Sequence, residues 1–460
     1  MTTPFLQPSV PESPAPQLRP AKQINLLALA CIIFSTTCGG AYGLEALIGA
    51  VGPGWAVLFI LVTPLAWSLP TALMVAELTS LMPEEGGYYV WVRKAFGPAW
   101  AVQQACWTIT TSIIWLAMYP VLFVSYLTFF LPNLAGPEHA LARWLITLVM
   151  IASSMAVNLR GSSKVGTASQ IGTFIVLGVF ALMLVAWLVK VHTLAPSFAA
   201  IRGDFTGGHK VALLLGISYI VFNYSAWDSV STYAGEVENP RRSYPLAITA
   251  ALTIAVLSYL IPVVAGFSVT TDPAVWSSDA GWPVIARMIG GRWLGIVVGA
   301  AGMVSVWGLF NSQLLYASRL PYVLARDGWL PKFLAGISSD AVAPKAAIFT
   351  LCGLCALFTA FTFGGLAIIQ CLLYAAALTL EFLSLLVMRM RYPDAPRMFR
   401  IPGGWFGLGY VLVMPLSFAV LVIVSAFGDW HAVPAQLTVV AIVAVAGVTL
   451  YFSRRKNGSL

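Results

Sequence analysis

ACIIFSTTCGGAYGLEALIGAVGPG, residues 30–54, decides the fold. It is apolar enough to cross a membrane, yet Gly39, Gly40 and Gly43 crowd its centre. Glycine releases the backbone from helical geometry, so the stretch reads as a spanning helix broken in the middle. A second stretch, VALLLGISYIVFNYSAWDSVSTYAG (211–235), reads the same way. Asn223, Tyr224, Ser225 and Asp228 stand where a lipid-facing helix would be apolar.

Around these stretches the chain is 59% hydrophobic and 9% charged, against about 25% charged in an ordinary soluble domain. Long apolar segments recur, and twelve spanning helices are expected: 24–49, 55–82, 98–131, 141–158, 167–189, 211–234, 245–270, 293–317, 346–363, 366–388, 406–428 and 432–452. The runs are continuous rather than alternating, which disfavours a β-barrel. The broken segments are the first and the sixth, corresponding positions in two halves of five. Interruptions so placed point to a transporter binding site. An opened backbone offers carbonyls to an ammonium group at one half-helix end and amides to a carboxylate at the other. The plainer alternative is that the small residues only allow close helix packing.

Asp228, Glu45, Glu77 and Glu381 all fall within apolar segments, and no lysine or arginine lies mid-segment. A carboxylate far from water costs several kcal/mol unless it takes a proton or meets a cation. Moving protons or cationic solutes is the function this suggests. The net charge of +8 is not a nucleic-acid signature, because the bases sort by side. With the N-terminus in the cytoplasm, 19 of the 25 Lys and Arg fall inside, so both termini are expected to be cytoplasmic.

Cys31, Cys38, Cys106, Cys352, Cys355 and Cys371 lie in apolar segments, and the four histidines form no cluster. Neither a metal site nor a cofactor is expected. No nucleophile–base pair, zinc motif or phosphate loop suggests an enzyme. No cleavable signal peptide is visible. Six prolines in residues 1–20 read as part of a disordered tail. AVWSSDAGWPVIARMIG (274–290) reads as a short amphipathic helix over the outer face, and 318–336, with bases and aromatics interleaved, as a membrane-surface anchor.

These residues resemble the amino acid–polyamine–organocation transporter superfamily. AELTSLMPEEGGYYVWVRKAFGP (76–98) is similar to its signature at the end of the second helix, SAWDSVSTYAGEVENPRRSYPLAI (225–248) to that between the sixth and seventh, and SRLPYVLARDGWLP (318–331) to the loop after the eighth. The likeness covers about residues 24–400. CGGAYGLE (38–45), WDSVSTYAGEVENP (227–240) and MYPVLF (118–123) look most like the polyamine–proton symporter branch, which is related to light-chain amino acid transporters. PNLAGPEHA, after the third helix, has no cysteine, so a disulfide-linked heavy chain is not expected. Two departures stand out. Plant polyamine members carry an acid in the third helix shortly before the Tyr-Pro pair, where this chain has Trp115, Leu116, Ala117 and Met118. Some proton-coupled amino acid members carry a lysine in the fifth helix, and residues 165–188 contain none.

The resemblance implies an all-α integral membrane protein with a leucine-transporter-like 5+5 inverted repeat and discontinuous helices one and six. Residues 1–22 would be a cytoplasmic tail, 23–452 the transporter (24–189 first repeat, 211–388 second repeat, 406–452 the last two helices) and 453–460 a second tail. The expected activity is import of a polyamine or amino acid with a proton across the plasma membrane. Exchange without protons, a channel and a non-transporting nutrient receptor are the rivals. Candidate substrate contacts are Thr37, Gly39, Gly40, Tyr42, Gly43 and Glu45 at the first break and Asn223, Tyr224, Trp227 and Asp228 at the second. Asn311 in the eighth segment and Tyr374 in the tenth complete the set. Asp228, Glu45, Glu77 and Glu381 are the candidates for proton coupling or gating. Glu77 is expected to tie the inner gate, and Glu45 to face an outer vestibule. Structural pairing and proton relay both stay open for Glu381.

Overall fold

The computed structural model describes residues 24–191, 193–203, 210–277, 281–337, 342–359, 363–426 and 433–456. The expected tail 1–22 and the last four residues of the tail 453–460 lie outside these. The architecture is all-helical. Among the described residues the only β pairing is one isolated bridge. The described residues form seventeen α-helices in order: α1 Leu26–Thr37, α2 Glu45–Thr63, α3 Leu69–Leu81, α4 Tyr88–Phe96, α5 Pro98–Thr128, α6 Ala140–Asn158, α7 Ser162–Lys190, α8 Ala195–Gly203, α9 Lys210–Asn223, α10 Pro240–Phe267, α11 Pro273–Trp276, α12 Gly281–Gly290, α13 Arg292–Arg326, α14 Lys345–Phe358, α15 Phe363–Arg391, α16 Gly404–Ala426 and α17 Val433–Lys456.

Eight stretches among the described residues are long and apolar enough to cross a membrane, the longest being Glu45–Leu81 and Arg292–Arg326. Three shorter apolar helices accompany them, α1 among them. Glu45–Leu81 runs through α2, a π-helical turn at Pro64–Ser68, and α3. It bends at Gly52, whose φ of 77° precedes Pro53. Large apolar side chains such as Val149, Phe174, Val189 and Phe406 stand exposed on the outside of the bundle. Water would not favour that surface, but lipid does. With the length of the spans, it makes this a multi-pass membrane protein.

Both breaks are present. α1 ends at Thr37, where the amides of Cys38 and Gly39 both turn back to the Phe34 carbonyl. The backbone then passes through φ of 65° at Gly39 and 89° at Gly40, left-handed values open to glycine. A Cβ on Gly40 would stand 2.6 Å from Cγ1 of Val176. The helix resumes at Glu45. The second break follows α9. Tyr224–Asp228 leave helical geometry, Ala226 has φ of 70°, and a 3-10 segment runs over Ser229–Glu236. Positive φ at alanine is strained and persists only where its surroundings impose it. Here the Ala226 amide donates to the Tyr374 hydroxyl, 3.0 Å away.

The two longest helices, α5 and α13, pack along each other through the centre, and α1 lies against α7, α10 and α13. At one end of the bundle the start of α1 is clasped to the chain leaving the 3-10 segment. Ile24 donates to Glu236 O and accepts from Glu238, both at 2.9 Å. At the other end α11 and α12 lie over the bundle, where one helix was expected, and bury Trp276 and Trp282.

The basic end departs from the sequence reading. Of the expected surface anchor 318–336, Ser318–Ala325 are buried in α13, which continues to Arg326, while Pro331–Phe333 are exposed. The helices also carry buried bases beyond their apolar runs. Arg319 is wholly buried within α13 and Arg389 nearly so within α15. In each case the apolar run stops before the arginine while the helix continues. The guanidinium stays in the protein because a carboxylate meets it there.

Candidate functional site

A small cavity of about 30 Å³ lies where the two breaks meet α5 and α13. That is room for about two waters. The first break contributes Thr37, Tyr42 and Gly43, and the second contributes Asn223 and Ala226. From α5 come Trp115, Tyr119 and Tyr126, and from α13 Leu309 and Gln313. The breaks are stitched together beside it. Asn223 Nδ2 donates to the Gly43 carbonyl at 3.3 Å. Tyr259 on α10 donates to the Asn223 carbonyl at 2.7 Å.

Several carbonyls freed by the first break are already held by side chains. Gln313 donates to Thr36 at 3.2 Å, Ser305 to Gly39, and Trp282 to Ala41 at 2.7 Å. Two polar atoms on the cavity-lining residues are buried without a partner: Gln313 Oε1, an acceptor, and Trp115 Nε1, a donor. Gln313 is held in place because its amide nitrogen also donates to the Tyr119 hydroxyl at 3.0 Å. Aromatic faces, an unused acceptor and second lone pairs on carbonyls suit an ammonium group.

The acids stand one layer behind the wall. Glu45 accepts from the Gly43 amide at 2.7 Å and from the Tyr126 hydroxyl at 2.8 Å, and both of those residues line the cavity. It is buried rather than facing an open vestibule. Above it Tyr42 packs edge-on to Tyr126, 5.3 Å between ring centres. Asp228 accepts a hydrogen bond from Tyr374, whose ring lies 5.3 Å from that of Trp115. One aromatic pair thus separates Asp228 from the cavity. Glu381 lies deeper, within electrostatic reach of Asp228, and accepts from Gln104 Nε2 at 2.9 Å.

Glu77 differs from the other three, and the reading that placed it without a base is corrected. Arg389 grips its carboxylate with two hydrogen bonds of 2.6 Å, Arg397 adds a contact at 3.3 Å, and the Ile401 amide donates at 2.8 Å. Three further ion pairs accompany it at the basic end. Arg319 holds Glu236 at 2.8 and 3.2 Å, Arg326 approaches Glu85 at 3.4 Å, and Arg93 binds Asp327. Glu85 sits in the turn before α4, outside the spans. Burial, then the nearby Glu236 charge, push its carboxyl up to about 7 against the pull of Arg326 and Arg319.

Of the sequence candidates, Thr37, Tyr42, Gly43 and Asn223 line the cavity. Gly39 and Gly40 shape the turn beside it, and Glu45, Asp228 and Tyr374 support it from behind. Tyr224, Trp227 and Asn311 are elsewhere. The Tyr224 hydroxyl reaches Ile60 O at 3.1 Å, and the Trp227 indole donates to Tyr224 O at 2.9 Å. Asn311 faces α6, bonded to Ser154 at 3.1 Å and to Asn158 at 3.2 Å. Gln313 holds the place by the cavity that Asn311 was expected to fill. Two residues along a helix turn about 200° around its axis, so the pair face opposite sides. Trp115, Tyr119 and Tyr126 were also missed. Their spacing of four and seven on α5 was the available signal.

The amino acid permease family model matches residues 24–448. The polyamine transporter PUT1 of Oryza sativa subsp. japonica is 33% identical over 440 residues, covering 95% of this chain and 80% of the relative. The polyamine transporter RMV1 of Arabidopsis thaliana is 34% identical over 406 residues, 88% of this chain and 80% of the relative. A cystine/glutamate transporter of Homo sapiens is 25% identical over 453 residues, 94% and 85% of the two chains. The chain belongs to the amino acid permease family. That family and these relatives are transporters, not enzymes.

Proposed function

We propose that this protein is a secondary transporter that imports an amine-bearing solute, a polyamine or an amino acid, together with a proton. The observation that carries the reading is the cavity between the two helix breaks, backed by Glu45 and Asp228. The relatives named as polyamine transporters, 33% and 34% identical, support the amine and place polyamines first. Glu45 and Asp228, buried acids behind the cavity wall with no salt-bridge partner among the described residues, fit a substrate that brings positive charge.

On this reading the chain crosses the plasma membrane twelve times, with both termini cytoplasmic and a 5+5 inverted repeat. The substrate ammonium enters against Trp115, Tyr119 and Gln313 Oε1, and Asp228 supplies the compensating charge through the Tyr374 layer. A cavity of about 30 Å³ does not hold such a molecule, so the aromatic side chains that line it must part to admit it. A carboxylate on an amino acid substrate would add contacts to amides around Gly40 and Tyr42. The basic end, with its four ion pairs, is the inner gate, and α11 and α12 cover the outer one.

The test is uptake into proteoliposomes of labelled putrescine, spermidine and the common amino acids, with and without an inward proton gradient. Saturable uptake of one class, stimulated by the gradient and abolished by Asp228→Asn, is expected. Undiminished cation uptake by that variant would overturn the role of Asp228. Uptake that needs substrate inside and ignores the gradient would make the protein an exchanger.

A further inference from the structure

Glu381 on α15 and Gln104 on α5 face each other in the interior, both nearly inaccessible to solvent. One hydrogen bond joins them, Gln104 Nε2 to Glu381 Oε1 at 2.9 Å. The same Nε2 lies 3.2 Å from Thr108 Oγ1, so the amide nitrogen serves both neighbours. Two atoms of the pair remain without a partner: Glu381 Oε2 and Gln104 Oε1. On an ionised glutamate both would be acceptors, each buried without a donor, which is costly.

A single proton resolves both. Placed on Glu381 Oε2, it turns that oxygen into a donor, and Gln104 Oε1 is the free acceptor on the amide already bound to the same carboxyl. The result is a cyclic acid–amide pair, each group donating once and accepting once. Among the described residues no base pairs with Glu381. The titratable groups that act on Glu381 are Asp228 beyond the second break, Tyr374 on its own helix and Tyr88 on α4. The hydroxyl of Tyr88 is itself buried without a partner. Arg389, two turns along α15, is committed to Glu77.

We infer that Glu381 is a carboxylic acid in this conformation, that Gln104 holds its proton in place, and that the Asp228–Glu381 pair is where the coupling proton resides. The last clause rests on the proposed symport. The first two stand independently of it. When a cationic substrate neutralises Asp228, the repulsion that keeps the proton on Glu381 weakens, and Glu381 gives that proton up to water admitted as the basic end opens.

Infrared difference spectroscopy on the reconstituted protein tests the carboxyl directly. Wild type minus Glu381→Gln should show, at neutral pH, a carboxylic-acid C=O band that shifts in D2O. Gln104→Leu should keep the band and move it to higher frequency, because the acid loses its acceptor. Absence of the band from the wild type overturns the inference whatever transport shows. Proteoliposome uptake tests the coupling. Glu381→Gln should still take up substrate, with stimulation by an inward proton gradient reduced at least tenfold. Unchanged stimulation would remove Glu381 from the coupling path even with the band present. A wild type that shows the band but takes up no amine would count against the transport reading alone.

Discussion

Arg319→Leu is the substitution whose cost the structure specifies most closely. The side chain is 0% exposed and its partner Glu236 1%. Its guanidinium donates to both Glu236 oxygens, to the Leu315 carbonyl at 3.0 Å and to Ser318 Oγ at 3.1 Å. Without it, Glu236 would remain buried beside a second carboxylate, Glu85, with Arg326 the adjacent base. Removing one partner of a buried pair costs about 3–5 kcal/mol, and the neighbouring acid puts this case at the upper end. Glu236→Leu is expected to cost a similar amount by stranding Arg319. Arg319→Leu with Glu236→Leu removes both charges and replaces them with apolar volume, which is often close to neutral. The double variant should therefore be at least about 2 kcal/mol more stable than the sum of the single losses predicts. Reversible unfolding of all four proteins in mixed micelles, with melting curves alongside, gives that coupling energy. Losses that add to within about 0.5 kcal/mol would show that the pair is not the buried unit described.

Two other outcomes follow from the geometry. Gly40→Ala, at φ of 89° and with its new methyl 2.6 Å from Val176, should destabilise the protein by about 2 kcal/mol and cut uptake at least tenfold. Adding Val176→Ala relieves the clash but not the dihedral, so melting and uptake should recover only in part, and full recovery would show that the left-handed turn is not required. Glu85 has its carboxyl pushed up to about 7 in the closed basic end, against an ordinary value near 4.3 once exposed. Its contribution to the folded state is complete below about pH 4 and is lost as pH rises through 7, by at most about 4 kcal/mol. Melting temperature followed from pH 5 to 8 should fall more steeply for wild type than for Glu85→Gln, and parallel curves would refute this.

Both helix breaks could be read in the residues, because each announces itself locally. Three glycines within five residues cannot hold a regular helix at low cost, and Asn223, Ser225 and Asp228 cannot all face lipid. Much of the site was not legible, because it is made between helices distant in sequence. Glu77 meets Arg389 across 312 residues, and no local pattern records that. Arg319 and Arg389 were placed in loops because apolar runs end before helices do, and a buried arginine looks like a boundary until its acid is found. Trp115 and Tyr119 were lost for the opposite reason. In a long apolar helix an aromatic at a cavity wall is written like an aromatic packed on a neighbour. The Asn311–Gln313 exchange is a matter of phase, which only the orientation of α13 fixes.

The clasp at Ile24 is built from peptide groups, with no side chain in either of its hydrogen bonds. Most substitutions at Ile24, Val237 or Glu238 leave its donors and acceptors intact. Proline, which removes an amide hydrogen, would open it at position 24 or 238. Its mechanical position is more consequential. Tension on the chain ahead of residue 24 is delivered to the carbonyl of Glu236, and Glu236 is the residue that Arg319 grips. Anything that pulls on that leading segment is thereby levering the ion pair at the base of the bundle, some 295 residues of chain before Arg319 is reached along the backbone but only two hydrogen-bonded steps away in space.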